Sequence, residues 1–136
     1  EDLGLTKEAQ RVRFLQGDGH NLKPQFSGYN LIVCHRVLDQ VYNPKQFLNK
    51  MVERLNSKGI LAISASWQWQ DNTVEKANWL GGVKRDGENL ASIEGLAELL
   101  SEKFELLQQT NIETRVQINP RRAELHDNDL TIWRKK

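Results

Sequence analysis

Three short segments place polar and aromatic side chains directly after apolar runs that predict strands. Gly-Asp-Gly-His (17–20) follows the first run, Cys-His-Arg (34–36) ends the second, and Ser-Ala-Ser-Trp (64–67) ends the third. Ligands of an open parallel sheet bind at the carboxyl ends of its strands, so we expect these segments to meet in one site. The groups available there are a carboxylate, imidazoles, a guanidinium and indole rings.

Asp18 lies between two glycines, and this arrangement allows two interpretations. Gly-Asp-Gly is favourable turn chemistry, so the segment could be a plain turn. Alternatively, the Asp18 carboxylate and the N–H of Gly19 could bind the edge of an adenine, with the missing side chain of Gly19 allowing a close approach. Both interpretations stay open at this point.

His20, Cys34, His35 and Asp39 suggest the question of a metal site. Their spacing matches no zinc pattern and Cys34 lies within an apolar run, so we expect no metal. No serine stands in a G-x-S-x-G elbow, and no phosphate-binding loop is present, so neither a serine hydrolase nor a P-loop enzyme is indicated.

Trp67, Trp69 and Trp79 lie within thirteen positions of one another, near the end of the third predicted strand. They could belong to the core, or they could form an aromatic wall for a flat ligand or a sulfonium cation, at on the order of 1 kcal/mol for each contact. Arg121 and Arg122 similarly fit either a solvated face or a clamp on a substrate carboxylate.

The elements that must position these residues begin with strands and a helix in alternation. Apolar runs at 12–16, 29–35 and 59–66 predict strands, and the last two have the composition of parallel strands buried on both faces. Between them, Asn43 is the predicted N-cap of a helix whose apolar residues recur at helical spacing, and Gly59 is its predicted stop. This order predicts a βαβ unit.

The second half of the chain predicts a further helix and two strands. The helix covers about 92–103 with Ser92 as its N-cap, and the strands cover 104–109 and 129–136. Two terminal strands without a helix between them predict an antiparallel hairpin that closes one edge of the sheet. The predicted fold class is therefore α/β.

Composition limits the classes of function. A chain of 136 residues with a net charge of +1 predicts one domain, and gives no electrostatic reason for a nucleic-acid or membrane partner. Cys34 is the single cysteine, and a buried free thiol suits a reducing compartment. We therefore expect a cytoplasmic protein that acts on a small molecule.

The order of the segments resembles the second half of a class I S-adenosylmethionine (SAM) methyltransferase. The stretches that carry the resemblance are VRFLQGDGHNL, YNLIVCHRVLDQV and NPKQFLNKMVERLNSKGILAIS, followed by the terminal hairpin. The resemblance implies a Rossmann-like sheet with SAM as cofactor. It further implies that the cofactor is bound at the adenine by Asp18 and Gly19 and at the methionine end by Cys34, His35 and Arg36.

Further stretches resemble a narrower group, the C-terminal methyltransferase domain of ovothiol-synthesising sulfoxide synthases. They are RVRFLQGDGHNLKPQFSGYNLI, NWLGG, DGENL, EGL and LTIWR, so the resemblance covers roughly 11–107 and the last strand. It implies an N-methyltransferase for mercaptohistidine in ovothiol biosynthesis. His35 or Asp39 would orient the imidazole or take a proton, and the residues that would bind the acceptor are Trp67, Trp69, Trp79 and Arg121.

Two other functions stay open. One is a methyltransferase for another small metabolite, and the other is a non-catalytic interaction module. The family's glycine-rich SAM loop has no counterpart in 1–136, so we expect a partial domain. A sheet edge and an apolar face would then need covering, by an N-terminal segment of the same protein or by homo-oligomerisation.

Overall fold

The computed structural model describes residues 3–136 as a mixed α/β fold. The helices are α1 (Thr6–Ala9), α2 (Pro44–Arg54) and α3 (Ser92–Leu100), with a 3₁₀ turn at Lys76–Asn78. The strands are β1 (Tyr29–His35), β2 (Leu55–Ala65), β3 (Val83–Arg85), β4 (Glu88–Leu90), β5 (Phe104–Asn119) and β6 (Arg122–Lys135). None of the described helices has the length and apolar character that a bilayer crossing requires.

The main sheet has the strand order β1-β2-β6-β5. β1 and β2 run parallel, with His35 opposite Ser64, and β6 runs antiparallel to both β2 and β5. The predicted strand–helix–strand unit and the predicted hairpin at one edge are therefore confirmed. The hairpin is longer than predicted, because the polar region 110–128 continues both strands. Asp129 pairs with Ala65 at the end of β2, so the hairpin extends past that end as an arm (residues 111–128).

Helix α2 begins as the sequence predicts and ends earlier. The side chain of Asn43 accepts a hydrogen bond from the Gln46 N–H at 3.1 Å, and Pro44 occupies the first turn. The predicted stop at Gly59 is wrong, because Leu55 already has extended backbone angles and starts β2. Gly59 lies inside that strand, where a Cβ would come within 2.7 Å of the Leu55 side chain.

Helix α3 begins at Ser92, and Ser92 is not its N-cap as predicted. Ala91 holds that position, and the carboxylate of Glu94 accepts a hydrogen bond from the Ala91 N–H at 3.0 Å. The Ser92 hydroxyl instead accepts a hydrogen bond from the indole of Trp69 at 2.8 Å. The Ser92 hydroxyl, predicted to cap the helix, therefore takes part in tertiary packing instead.

The first predicted strand, 12–16, does not form. It is irregular chain with large apolar side chains in solvent, including Val12 at 55% and Phe14 at 93% exposure. Within the described residues β1 pairs with β2 alone, so 12–16 pairs neither with the open edge of β1 nor with another strand. Without such pairing the segment has no ladder to satisfy its backbone groups.

The helices α2 and α3 cover one face of the sheet. The core on that face joins side chains of both helices to Leu61, Ile63 and Trp133 of the central strands. On the opposite face, Leu31 is 57% and Val33 is 63% exposed. The prediction that β1 is buried on both faces is therefore wrong.

Candidate functional site

A polar cleft of about 430 Å³ lies at the carboxyl ends of β1 and β2. One part of its lining follows β1 and the other follows β2, so the parallel pairing of these strands brings the two parts together. The lining residues are His35, Arg36, Asp39, Gln40, Ser66 and Gln68. Three residues of the predicted site, namely His35, Arg36 and Asp39, thus share one cleft.

The backbone is strained where the chain leaves each of the two strands. Arg36 has a φ of 53° and Trp67 has a φ of 56°, in the left-handed region that favours glycine. The Arg36 N–H donates to the Ser64 carbonyl at 2.8 Å and so supports the first of these turns. Each non-glycine residue held in this backbone conformation destabilises the fold by of order 1–3 kcal/mol, and such residues concentrate at functional sites.

His35 lines the cleft and is exposed. Its Nδ1 lies 2.5 Å from the Oγ of Ser64, a buried residue directly across the parallel pair. No residue in 3–136 forms a hydrogen bond to Nε2. One ring nitrogen therefore sets the orientation of the imidazole, and the other can donate to or accept from a ligand.

Asp39 is only 3% exposed, and both of its carboxylate oxygens have partners. Oδ2 accepts from the Gln68 N–H at 3.0 Å, and Oδ1 accepts from the Gln40 side chain at 3.4 Å. The residue predicted to act as a base is thus engaged in holding the segment that follows β2.

Asp18 makes a turn and still presents a carboxylate to solvent. Its Oδ1 accepts from the His20 N–H at 2.9 Å, while the side chain as a whole is 66% exposed. At Gly19 a Cβ would lie 2.5 Å from the ring of Phe47. Packing against α2 therefore requires a glycine at this position, independently of any ligand.

The imidazole of His20 fastens the loop around Asp18 to the beginning of α2. It is 5% exposed, its Nε2 lies 3.1 Å from the Asn43 carbonyl, and its ring stacks on Tyr42 at a centroid distance of 3.7 Å. The Lys50 ammonium donates to the carbonyl of His20. Because the segment from Arg36 leads into the same end of α2, Asp18 lies at the same edge of the sheet as the cleft.

Arg54, at the end of α2, holds the following part of that loop. Its guanidinium donates to the carbonyls of Leu22 at 2.8 Å and Lys23 at 3.0 Å, and also to that of Phe26. The sequence signals no role for Arg54, and for His20 it suggests only the metal site considered above. These contacts join positions about thirty residues apart, and no local pattern signals them.

The three tryptophans form one row beside the core. Ring centroids of Trp67 and Trp69 are 6.0 Å apart, as are those of Trp69 and Trp79, and the latter pair is stacked. All three are half-buried, and each indole N–H already has a protein acceptor. The acceptors are Asp129 Oδ2 at 2.7 Å, Ser92 Oγ at 2.8 Å and the Val74 carbonyl at 2.8 Å. This arrangement favours a structural role, although Trp67 also lines a second cleft of about 370 Å³ with Asp129.

Cys34 lies in the hydrophobic core at 3% exposure, and burial raises the pKa of its thiol to about 11. A contact between this residue and a cofactor would have to come from the backbone. Within residues 3–136, no three side chains of His, Cys, Asp or Glu are grouped as metal ligands.

Arg121 lies in the turn at the tip of the hairpin arm, where its N–H donates to the Asn119 side chain at 2.9 Å. At about 3.3 Å per residue, the tip is more than about 20 Å from Asp129 and the end of β2. The structure therefore does not bring Arg121 to the cleft, and its predicted role as a substrate clamp there is not supported.

A chain of polar side chains on the arm reaches the cleft, and no sequence motif indicates it. The Gln68 amide lies 3.3 Å from Nδ1 of His126, and Nε2 of His126 lies 3.2 Å from Glu124. His126 and Glu124 share one face of β6, since they are two residues apart in a strand. Extending β6 back to Arg122 in the sequence would have placed them together.

Comparison with protein families identifies one type of domain. A family model described as a methyltransferase domain matches residues 4–118. A search of curated proteins finds no match.

Solved structures of several proteins resemble the chain over nearly its whole length. TehB from Haemophilus influenzae has a TM-score of 0.58 and 19% identity, covering 98% of this chain and 45% of its own. The N-methyltransferase NodS from Bradyrhizobium japonicum, in complex with S-adenosyl-L-homocysteine (SAH), has a TM-score of 0.55 and 16% identity, covering 95% and 58%. A SAM-dependent methyltransferase from Methanosarcina mazei has a TM-score of 0.58 and 15% identity, covering 98% of this chain and 76% of its own. The chain thus spans about half the length of the first two, and the likeness at these identities concerns the fold.

Proposed function

The chain belongs to the methyltransferase-domain family, and from this premise we propose that it takes part in transferring a methyl group from SAM to a small-molecule acceptor. The observation that carries the proposal is the cleft at the ends of β1 and β2, at the same edge of the sheet as the exposed carboxylate of Asp18. Ligands of open α/β sheets bind at this edge. NodS, which shares the fold, is known in complex with SAH.

The residues at this edge fit the chemistry of SAM. The Asp18 oxygen that is not used in the turn can accept from the exocyclic amine of adenine, and the guanidinium of Arg36 can pair with the methionine carboxylate. His35 and the backbone of Cys34 directly precede Arg36 at the end of β1. When bound, SAM supplies a methyl group already activated by its sulfonium charge.

The remaining work of the protein is to orient the acceptor and to exclude water. His35 is suited to orienting it, because the Ser64 hydroxyl fixes one ring nitrogen and leaves Nε2 for a hydrogen bond or a proton from the acceptor. An imidazole acceptor is nucleophilic in its neutral form, which an unperturbed pKa of about 6.5 makes available near pH 7. No strong base is then required.

For the acceptor we propose an imidazole thiol, mercaptohistidine, as in ovothiol biosynthesis. The support is the resemblance of GDGHNLKPQFSGY and NWLGG to the methyltransferase domain of ovothiol-synthesising proteins. In the structure these stretches include the loop of Asp18 and the turn beside Trp79. Product analysis by mass spectrometry, with mercaptohistidine and histidine offered separately, tests this assignment, and methylation of neither would overturn it.

The donor site is tested by binding of SAH to the Asp18→Ala variant, measured by calorimetry. Losing one charged hydrogen bond of about 1.5–3 kcal/mol predicts an affinity at least about tenfold lower. Asp71→Ala is the matched control, since Asp71 is an exposed carboxylate outside the cleft. An Asp18→Ala variant that binds SAH as tightly as the wild type refutes the assignment.

We also propose that a further polypeptide strand pairs with the free edge of β1 and that additional chain covers the face of Leu31 and Val33. The support is the exposure of these two side chains and the absence, among the described residues, of any strand on that edge. Apolar patches of this kind mark interaction surfaces. Sedimentation of the 136-residue chain distinguishes self-association from covering by another segment of the protein.

A further inference from the structure

Contacts from three other parts of the fold hold the segment that follows β2. Gln68 is held by Asp39 through its N–H, Trp67 by Asp129 through its indole, and Trp69 by Ser92 of α3. We call this segment, residues 66–69, the cleft wall, because Ser66 and Gln68 line the cleft.

The cleft wall needs these contacts because its backbone is not in a favourable conformation. Trp67 has a φ of 56°, and a bulky side chain in the left-handed region is a genuine outlier that persists only when its surroundings impose it. The contact with Asp39 acts directly on this turn, since the Gln68 N–H belongs to the peptide group that follows Trp67. The indole contact with Asp129 fixes the side chain of Trp67 instead.

The burial and the hydrogen bonds of Asp39 suit it to holding this turn. At 3% exposure its carboxylate is shielded from water, which strengthens the hydrogen bonds that it accepts. Its two oxygens already accept from the Gln68 backbone and the Gln40 side chain. His35, in contrast, is exposed and has a ring nitrogen without a protein partner, so it is the better placed of the two to meet an acceptor.

We propose that Asp39 is a positioning residue. Its buried carboxylate fixes the Gln68 N–H, holds the left-handed turn at Trp67 and thereby sets the cleft wall, without exchanging a proton with the acceptor. The kinetic consequence rests on the proposed methyl transfer, whereas the structural consequence does not.

The experiment compares Asp39→Asn with Asp39→Ala. Asparagine keeps an oxygen that can accept from the Gln68 N–H, but it cannot act as a base. Alanine provides neither an acceptor nor a base. For Asp39→Asn we expect kcat/KM reduced by about threefold with an unchanged pH profile, and for Asp39→Ala a loss of at least about thirtyfold, since misplacement of a bound group costs up to about a hundredfold. Loss of a general base would cost about 10²–10⁴-fold in both variants.

Amide exchange of Gln68, followed by NMR, gives a readout that needs no activity. We expect the amide to be protected in the wild type and in Asp39→Asn, and to exchange at least about tenfold faster in Asp39→Ala, since that variant leaves the N–H without its acceptor. A Gln68 amide that exchanges freely in Asp39→Asn, or a kcat/KM for Asp39→Asn as low as that of a missing base, overturns the proposal. If Asp39→Ala does not fold, Asp39→Asn still decides through its exchange rate and pH profile.

Failure of the proposed function has a different signature. A protein that includes a glycine-rich SAM loop together with this chain would then methylate neither mercaptohistidine nor histidine, while protection of the Gln68 amide would still report whether Asp39 holds the cleft wall. Asp71→Ala serves as control in both measurements, because it removes an exposed carboxylate close to the cleft wall in sequence but outside the cleft.

Discussion

Replacing Gly19 with alanine tests whether α2, independently of any ligand, requires a glycine beside Asp18. A Cβ at this position would lie 2.5 Å from Cε2 and 3.0 Å from Cδ2 of Phe47. Carbon atoms in contact are most stable about 3.5–4.0 Å apart, so the ring must move by about 1 Å. Phe47 is 5% exposed and belongs to the close-packed core, so moving its ring disturbs the side chains around it.

The expected loss of stability follows from two opposing effects. Forcing an extra carbon into a packed core costs about 1–3 kcal/mol, and the lower entropy of alanine in the unfolded chain returns about 0.4–1 kcal/mol. Gly19 does not have a positive φ, so no backbone strain is added. The net expectation is a loss of about 1–2 kcal/mol in the free energy of unfolding, which lowers a urea midpoint by about 0.5–1 M.

Gly17→Ala is the matched control in the same loop. Its Cβ would lie 3.5 Å from the Leu22 side chain, an ordinary contact, so we expect unchanged or slightly higher stability. A double-mutant cycle with Phe47→Leu, which removes the clashing ring atoms, should reduce the cost of Gly19→Ala. A cost of Gly19→Ala below about 0.3 kcal/mol, or an equal cost with leucine at position 47, would show that contact with Phe47 does not require a glycine here.

Three further predictions concern other parts of the fold. Ser64→Ala releases Nδ1 of His35, and the loss of one hydrogen bond of about 1 kcal/mol should lower kcat for methyl transfer about fivefold without changing SAH affinity in calorimetry. Burial raises the pKa of the Cys34 thiol from 9.0 to about 11 in the folded protein, so with rising pH the unfolded chain loses the thiol proton first. Its contribution to stability should be constant below pH 9 and fall from there to about pH 11, in urea titrations compared with Cys34→Ala. If sedimentation shows that the chain self-associates through the exposed face of β1, Leu31→Lys combined with Val33→Lys should abolish the association and change the unfolding free energy by less than about 0.5 kcal/mol.

Local signals predicted the elements that local interactions determine. Asn43 and Pro44 predicted the start of α2, because an N-cap acts within one turn of the helix. The apolar run at 29–35 became β1 with the predicted bounds. The run at 12–16 has similar composition, yet it stays irregular because strand formation depends on a neighbouring ladder that sequence composition does not report.

In the candidate site, too, the sequence predicted some features and not others. The rule that ligands bind at strand ends placed His35, Arg36 and Asp39 in one cleft, because it depends only on the order and direction of the strands. The contacts that give each side chain its role are long-range. Asp39 meets the N–H of Gln68, and His20 meets the carbonyl of Asn43, across more than twenty residues in each case. No periodicity or motif predicts such pairs.

Asp18 shows why the two interpretations of Gly-Asp-Gly need not compete. One carboxylate oxygen closes the turn by accepting from the His20 N–H, and this bond holds the side chain at 66% exposure with its second oxygen available. His20 in turn is buried against Tyr42 and bonded to the Asn43 carbonyl, so the turn is anchored to α2. A carboxylate that is already ordered loses less conformational entropy when it binds a ligand. The turn would therefore preorganise Asp18 for the contact with SAM that we propose.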